Sequence, residues 1–266
     1  MPIFPRELRL NVQLDDAPHY KGSIHDDAVA RARGYKAALI PGAFVYGHIS
    51  RLALEVWGQE WAERGAMSAR FRKPVYNNDD LVVRATPAPG LEGQRGEVTV
   101  CNGEGDEVAS GWIELSPTAD PVPELDRAEF RAAPASPPRI GAGDLVTGMP
   151  LHSRDRILTP ADFATSLRAF GEQHGLYSDP GFVHSGMLMR LAMGDTNAGW
   201  SFPAPVVLVA CTTRHFGLVY PGQRIQTVGT IVETYERKGR HYFVSDEYLL
   251  ADGRMAANFL RTQIYG

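Results

Sequence analysis

A histidine followed by two acids is the group of residues in this chain best suited to acid–base chemistry. His25 stands directly before Asp26 and Asp27, and an alanine-rich segment follows them. A neighbouring carboxylate can hold an imidazole in one tautomer, and the other ring nitrogen then serves as a general base. The structural alternative is that Asp26 and Asp27 are acids favoured in the first turn of a helix, with His25 on the surface.

Two glycines could bind an oxygen that gains negative charge during a reaction. Gly42 and Gly186 each open a segment with the pattern of a central helix. The first turn of a helix has free backbone amides and the positive end of the helix dipole, which together suit such an oxygen. The alternative for both residues is that glycine only allows the helix to pack close to the sheet.

Four further side chains are candidates for contacts with a ligand. Tyr20 could donate a hydrogen bond, but a phenol with a pKa near ~10 is a poor base, and packing is its alternative role. Tyr46 and His48 lie on an otherwise apolar helix, where polar groups either pair internally or line a cavity. His184 precedes Gly186 by two residues and either points into a cleft of the second half or belongs to a loop.

The composition argues against several classes of partner. The chain has 266 residues, of which 44% are hydrophobic and 22% charged, and this balance is typical of a soluble globular protein. A net charge of −4 argues against a nucleic-acid partner. No stretch approaches the ~20 apolar residues that span a bilayer, and the first residues lack a signal-peptide pattern. We therefore expect a cytoplasmic protein without a membrane partner.

A protein-bound metal has little support in the sequence. Cys101 and Cys211 lie far apart in strand-like runs, which is typical of buried free thiols. The chain contains no CxxC, HExxH or HxH motif. We therefore expect no metal site.

Two stretches of the chain recur at one fixed spacing. Residues 39–44 (LIPGAF) correspond to 183–188 (VHSGML), 144 positions later. The same spacing places residues 70–76 (RFRKPVY) onto 214–220 (RHFGLVY). One ungapped offset that fits both stretches indicates a duplicated fold, which creates an internal two-fold interface where a site could form.

Each half has the pattern of a helix followed by strands. In the first half, helical spacing of apolar residues predicts a helix over 42–64, which Gly65 ends. Strand patterns follow at 67–71, 81–86, 96–101 and 107–115. In the second half, Thr159 and Pro160 predict a helix start, and a central helix begins near Gly186. Strands are predicted at 206–215, 224–235, 240–250 and 254–265.

The segment 117–141 differs in composition from both halves. It is rich in proline, alanine and acids, which is typical of a stiff, exposed connector with no function of its own. The chain is thus divided into a first half at 1–116, the connector, and a second half at 142–266. An antiparallel sheet can wrap a helix that is apolar on most sides, so we expect an α+β fold. The two copies could pair their sheets edge to edge and so cover an exposed edge strand.

Five segments together resemble the MaoC-like branch of the hotdog-fold proteins, in its double-hotdog form. They are HDDAVARARGY (25–35), LIPGAF (39–44), ARFRKPVYNNDDL (69–81), VHSGML (183–188) and LADGRMAA (250–257). The resemblance implies two antiparallel sheets, each wrapping a central helix, fused in one chain. It also implies an acyl-thioester ligand, usually an enoyl-CoA or a hydroxyacyl-CoA.

Hydratases of this family use an Asp and a His in a D-x-N-P-x-H run to activate a water that adds across the C2–C3 double bond. A glycine amide at the start of the central helix receives the thioester oxygen. With His25 at the family's histidine, Tyr20 stands at its aspartate, and the asparagine and proline positions hold Gly22 and Ser23. Aligning the following helix instead places Ile24 at the histidine, so a one-residue difference in register stays open.

The first hypothesis is a hydratase or dehydratase of acyl thioesters. His25 would move the proton, Asp26 or Asp27 would orient it, and the Gly42 amide would polarise the carbonyl. The substrate itself would supply CoA, and no other cofactor is expected. The remaining candidates for contact with the substrate are Tyr20, Tyr46, His48, His184 and Gly186.

Two other functions stay open. A hotdog thioesterase usually places a carboxylate near the helix start, but the nearest acid after Gly42 is Glu55. The incomplete D-x-N-P-x-H run would also fit a non-catalytic acyl-CoA-binding protein or a specialised cyclase. In each case the partner is a small-molecule acyl thioester. Monomer and homodimer are both open, because the fused pair already supplies a two-fold interface.

Overall fold

The computed structural model describes residues 3–14, 20–125, 129–178 and 181–265. The first half contains strand β1 (Arg6–Asn11) and helices α1 (Asp27–Ala32), α2 (Gly42–Trp57) and α3 (Gln59–Arg64). Strands β2 (Ala66–Phe71), β3 (Asp80–Pro87), β4 (Arg95–Asn102) and β5 (Glu107–Glu114) follow. These four strands lie within about one residue of their predicted bounds, whereas β1 was not predicted.

The helix predicted over 42–64 is two helices. Gly58 ends α2 and precedes α3 with a φ of +64°, a backbone conformation that glycine adopts without steric cost. The chain changes direction there, so the apolar spacing continues although the helix does not. Gly65 ends α3, as predicted.

The second half contains β6 (Arg156–Ile157), α4 (Pro160–Ala169), a short 3₁₀ helix (Gly175–Tyr177) and the central helix α5 (Ser185–Asn197). Strands β7 (Val207–His215), β8 (Arg224–Arg237), β9 (Arg240–Ala251) and β10 (Arg254–Tyr265) complete it. The predicted start of α4 is confirmed, because Thr159 and Asp162 form a reciprocal capping box.

The ten strands of the described residues form one antiparallel sheet, in the order β1-β3-β4-β5-β2-β7-β10-β9-β8-β6. The two sheets that the resemblance implied are thus joined in one continuous sheet. Each half does contribute five strands, and β2 pairs with β7 at the seam. This pairing confirms the predicted edge-to-edge contact, and it covers two strands that would otherwise be exposed edges.

The seam has the symmetry that the repeat predicts. Ser68 pairs with Thr212, and these two residues are 144 positions apart. On either side, Ala66 pairs with Arg214 and Arg70 with Ala210, as a local two-fold axis through the central pair requires. The Thr212 hydroxyl donates to the Ser68 hydroxyl at 3.2 Å on this axis. The offset read from the sequence therefore relates the two strands that meet at the seam.

The two central helices pack against each other inside the sheet. α2 is buried on nearly all sides from Ala43 to Ser50, as an enclosed helix must be. Two glycines allow the close approach, because a Cβ built on Gly186 would lie 3.0 Å from the Cα of Gly47. The interface between the halves therefore depends on small residues at the helix crossing.

Replacing Gly47 by alanine should destabilise the fold. The added Cβ would lie 2.4 Å from the buried Phe170 ring, and overpacking of this kind costs about 1–3 kcal/mol. We expect a lower urea midpoint for unfolding of Gly47→Ala. The matched control is Gly194→Ala on α5, where an added Cβ meets nothing within 4 Å. Equal stability of Gly47→Ala and the unmodified protein would contradict this account of the crossing.

The connector predicted over 117–141 has little regular secondary structure within its described residues, and 126–128 lie outside them. It is not exposed along its whole length, because Ile140 is buried in a small cluster with Trp200, Phe243 and Tyr265. The boundaries of the connector and the two halves stay a prediction. Within the described ranges, no helix is both long and apolar enough to cross a membrane.

Candidate functional site

The candidate site lies where the seam of the sheet opens. The pairing of β2 with β7 ends at Arg70 and Ala210. Beyond that pair, residues 71–75 and 206–209 line a cavity of about 360 Å³. His25 and Gly42 both line this cavity. The general base and the helix amide predicted from the sequence therefore share one space between the two halves.

The backbone sets the tautomer of His25. Its Nδ1 lies 2.6 Å from the carbonyl oxygen of Leu39. A carbonyl oxygen only accepts, so Nδ1 carries the hydrogen, and Nε2 is the basic nitrogen of the neutral ring. The ring of Tyr20 packs edge-on against the imidazole, with ring centroids 5.5 Å apart. Tyr20 thus contacts His25 and does not itself line the cavity.

Asp26 and Asp27 make hydrogen bonds in and beside α1. Asp26 caps α1 by accepting hydrogen bonds from the amides of Ala28 and Val29. The bond from the Gly22 amide, with these two, lowers the pKa of Asp26. Asp27 accepts from Arg31 and from the Ala38 amide, and both bonds lower its pKa. The Leu39 carbonyl contacts the ring of His25 directly, and the predicted part of the two acids in orienting it stays a prediction.

The start of α2 offers two backbone amides to the cavity. The Phe44 amide donates to the Pro41 carbonyl at 2.8 Å. The amides of Gly42 and Ala43 have no acceptor among the residues the structure describes, as is usual for the first turn of a helix. Both residues line the cavity. The helix dipole adds a positive potential there, so an oxygen that gains negative charge would be stabilised.

The equivalent helix start in the second half is closed. The Gly186 amide donates to Nδ1 of His184 at 2.9 Å. The Phe170 ring stacks on His184, and a Cβ built on Gly186 would lie 2.6 Å from the Phe170 ring. His184 and Gly186 therefore form a filled helix cap, and this geometry gives their predicted contacts with a ligand no support.

A buried carboxylate accompanies this cap. Oε2 of Glu172 lies 3.7 Å from Nε2 of His184, and both side chains are fully enclosed. Burial alone would raise the pKa of Glu172, but the neighbouring His184 imidazole and the His174 amide, which donates to Oε1 at 2.8 Å, outweigh it and lower that pKa. Glu172 has no local signal in the sequence, because its partner lies twelve residues further on.

Tyr46 and His48 lie inside the interface between the halves and do not line the cavity. The Tyr46 hydroxyl bonds with the hydroxyls of Ser185 at 3.0 Å and Thr213 at 2.9 Å. Burial raises the pKa of Tyr46 and lowers that of His48 to about 3. Of the two alternatives left open for Tyr46, internal pairing is the one the structure shows. This position gives their predicted contacts with substrate no support.

Two cationic side chains at the cavity were not predicted from the sequence. Arg72 and Lys73 follow β2 and line the space near His25. Arg72 pairs with Glu107 at 2.6 Å and Lys73 with Asp106 at 2.8 Å, and both side chains are about half exposed. The signal was present, because the repeated segment 70–76 contains both residues.

No protein-family model and no curated protein sequence matches this chain. Solved structures do match over its whole length. A protein assigned as a MaoC domain dehydratase from Chloroflexus aurantiacus has a TM-score of 0.67 at 14% identity, covering 98% of this chain and 95% of its own. A double-hotdog protein from Mycobacterium tuberculosis has a TM-score of 0.64 at 15% identity, covering 100% and 98%.

A third structure, assigned as an oleoyl thioesterase from Lactobacillus plantarum, has a TM-score of 0.50 at 10% identity, covering 98% of this chain and 96% of its own. Likenesses at these identities define the fold and not the activity. The chain has an α+β hotdog fold, and its structural likeness to MaoC-like dehydratases confirms the fold that the motifs indicated.

Proposed function

We propose that this protein is a hydratase or dehydratase of acyl thioesters, adding or removing water across the C2–C3 bond. The observation that supports it is one cavity lined both by His25, with its tautomer set, and by the amides of Gly42 and Ala43. A base and an oxyanion site on opposite ends of one reacting system are what addition of water to an enoyl thioester needs.

In the proposed reaction, Nε2 of His25 takes a proton from a water whose oxygen bonds to C3. The electron pair of the C2–C3 double bond moves toward the carbonyl, and the thioester oxygen becomes negative. The amides at the start of α2 stabilise this enolate, because their positions are fixed before the charge forms. The imidazolium then returns a proton to C2, which gives the 3-hydroxyacyl thioester. Dehydration is the same sequence reversed.

The lining of the cavity favours this chemistry over thioester hydrolysis. No aspartate or glutamate is among the described residues that line it. A hotdog thioesterase would need a carboxylate facing the carbonyl, so the arrangement gives that reaction no support. A non-catalytic acyl-CoA-binding protein differs from the proposal only in turnover, and it is therefore an outcome of the experiment.

The Gly42 amide can be deleted without removing a side chain. Gly42 is the first residue of α2, a position that accepts proline, and Pro41 already has the extended backbone (φ −56°, ψ 136°) that a following proline requires. An added Cβ would make ordinary contacts of 3.6 Å with Leu208 and Phe71. We expect Gly42→Pro to lower kcat for enoyl-CoA hydration about 10²–10³-fold, the usual loss for one oxyanion donor.

The matched control is Gly42→Ala, which adds the same Cβ and keeps the amide. It should retain most of the activity, measured as the loss of ultraviolet absorbance of the conjugated enoyl thioester. Equal kcat values for the two variants, with both folded by circular dichroism, would count against the amide's role. Saturable binding of acyl-CoA without turnover by the unmodified protein would refute the hydratase and leave a binding protein.

A further inference from the structure

The second half of the chain contributes one side of the cavity, and that side is wholly apolar. It consists of Val206, Val207, Leu208, Val209, Met193 and Ile264 among the described lining residues. We refer to these six residues as the apolar wall. They come from β7, the residue before it, α5 and β10, so three separate elements converge on the same chemistry.

The polar and titratable residues lie on the other side. His25, Tyr35, Arg72 and Lys73 line the cavity, and all four come from the first half. The titratable groups of the lining thus all come from the first half, and the second half contributes apolar side chains alone.

The opposite end of the seam differs in both backbone and lining. The residues 144 positions before Val207 and Leu208 are Glu63 and Arg64, which end helix α3 and do not open a strand. Both line a second cavity of about 620 Å³ at that end. The apolar wall is therefore not repeated there.

We propose that the apolar wall selects the acyl group: it accepts an uncharged hydrocarbon chain, and Leu208 and Met193 limit its size. The proposal rests on the proposed function, because it assumes that the cavity holds an acyl thioester. Leu208 stands beside the reacting end, since its Cδ2 lies 3.6 Å from a Cβ built on Gly42. Met193 reaches the same cavity from α5.

Size and charge lead to separate expectations. The cavity of about 360 Å³ is finite, so it accepts acyl chains only up to a certain length. Longer chains would need a wall residue to be smaller. An acyl group with a terminal carboxylate would lose its hydration against a wall that offers no donor, and such burial is strongly unfavourable.

The experiment compares kcat/KM for straight-chain 2-enoyl-CoA thioesters of increasing length, and for an enoyl-CoA with a terminal carboxylate. Leu208→Ala and Met193→Ala are measured against the unmodified protein. The matched control is Leu260→Ala, an exposed position on β10 that does not line the cavity. In parallel, calorimetry measures Kd for the saturated acyl-CoA of each length.

We expect each wall variant to raise kcat/KM at least about 10-fold for the first chain length that the unmodified protein rejects, since pocket contacts of this kind discriminate 10–200-fold. Leu260→Ala should leave the profile unchanged. The carboxylated thioester should react at least about 100-fold more slowly than a neutral one of equal length. Wall variants with an unchanged length profile, or equal use of the carboxylated thioester, would overturn the inference.

The calorimetry separates this inference from the proposed function. If no thioester is turned over but Kd shows the same length and charge preferences, and the wall variants shift them, the hydratase function is refuted and selection by the apolar wall is supported. If hydration is observed but neither kcat/KM nor Kd changes in the wall variants, selection by the apolar wall is refuted and the hydratase function is supported. Without turnover or binding, both proposals are refuted.

Discussion

Replacing His25 by alanine should lower the rate of enoyl-CoA hydration by about 10²–10⁴-fold, the usual contribution of a positioned general base. The loss should appear in kcat, because Nε2 acts on the water and not on the thioester. The measurement is initial-rate kinetics on a 2-enoyl-CoA, with folding verified by thermal unfolding. Unchanged turnover in a folded His25→Ala protein would remove His25 from the mechanism.

Two further variants separate the base from its surroundings. The side-chain amide of His25→Asn can still donate to the Leu39 carbonyl, which His25 contacts at 2.6 Å, yet it has no basic nitrogen. It should be as inactive as the alanine variant. Asp27→Asn keeps an acceptor for the Ala38 amide, so kcat should be close to that of the unmodified protein. A large loss for Asp27→Asn would restore the orienting role first predicted for the acids.

Acidification should destabilise the fold well before the carboxylates titrate. Burial lowers the pKa of His215 to about 4, and burial with the nearby charges of His184 and Arg51 lowers that of His48 to about 3. Both are neutral in the folded protein and have an ordinary pKa near 6.5 when unfolded. Below that pH the unfolded chain binds protons that the folded protein cannot, so stability falls as the pH approaches these lowered values.

The expected loss is large. Each pKa unit corresponds to about 1.4 kcal/mol, so His215 alone accounts for about 3 kcal/mol between its unfolded and folded pKa values. Urea unfolding at a series of pH values from neutral to about 4.5 measures the slope. His215→Gln, which can keep a bond to the Ser185 hydroxyl now 3.0 Å from Nε2, should make the slope shallower. A slope that stays the same in this variant would contradict the assignment.

Much of the fold could be predicted because the duplication is visible in the residues. The 144-residue offset identifies β2 and β7 as equivalent strands, and the residue patterns locate eight of the ten strands in the described residues. The break at Gly58 could not be predicted, because its φ of +64° interrupts a helix whose apolar spacing continues. β1 was missed because only Leu8 and Leu10 of its six residues are apolar, which is too short an alternation to indicate a strand.

The site was less predictable, because its geometry depends on contacts between residues distant in the chain. His25 and Gly42 were found from their residue types. The Leu39 carbonyl, which orients His25, carries no side-chain signal. Whether Tyr46 lines a cavity or pairs internally depends on Ser185 in the other half. His184 looked like a ligand contact because the sequence does not show that Phe170 fills the space beside Gly186.

The helix cap formed by His184 has a consequence for the stoichiometry of ligand binding. Since the amide of Gly186 is already bonded and its surroundings are filled, the second repeat has no oxyanion site to offer. Under the proposed function, a chain with two copies of one fold should therefore bind a single equivalent of thioester, with a hyperbolic saturation curve. One repeat would then supply the reacting groups, and the other would supply the surface against which the substrate lies.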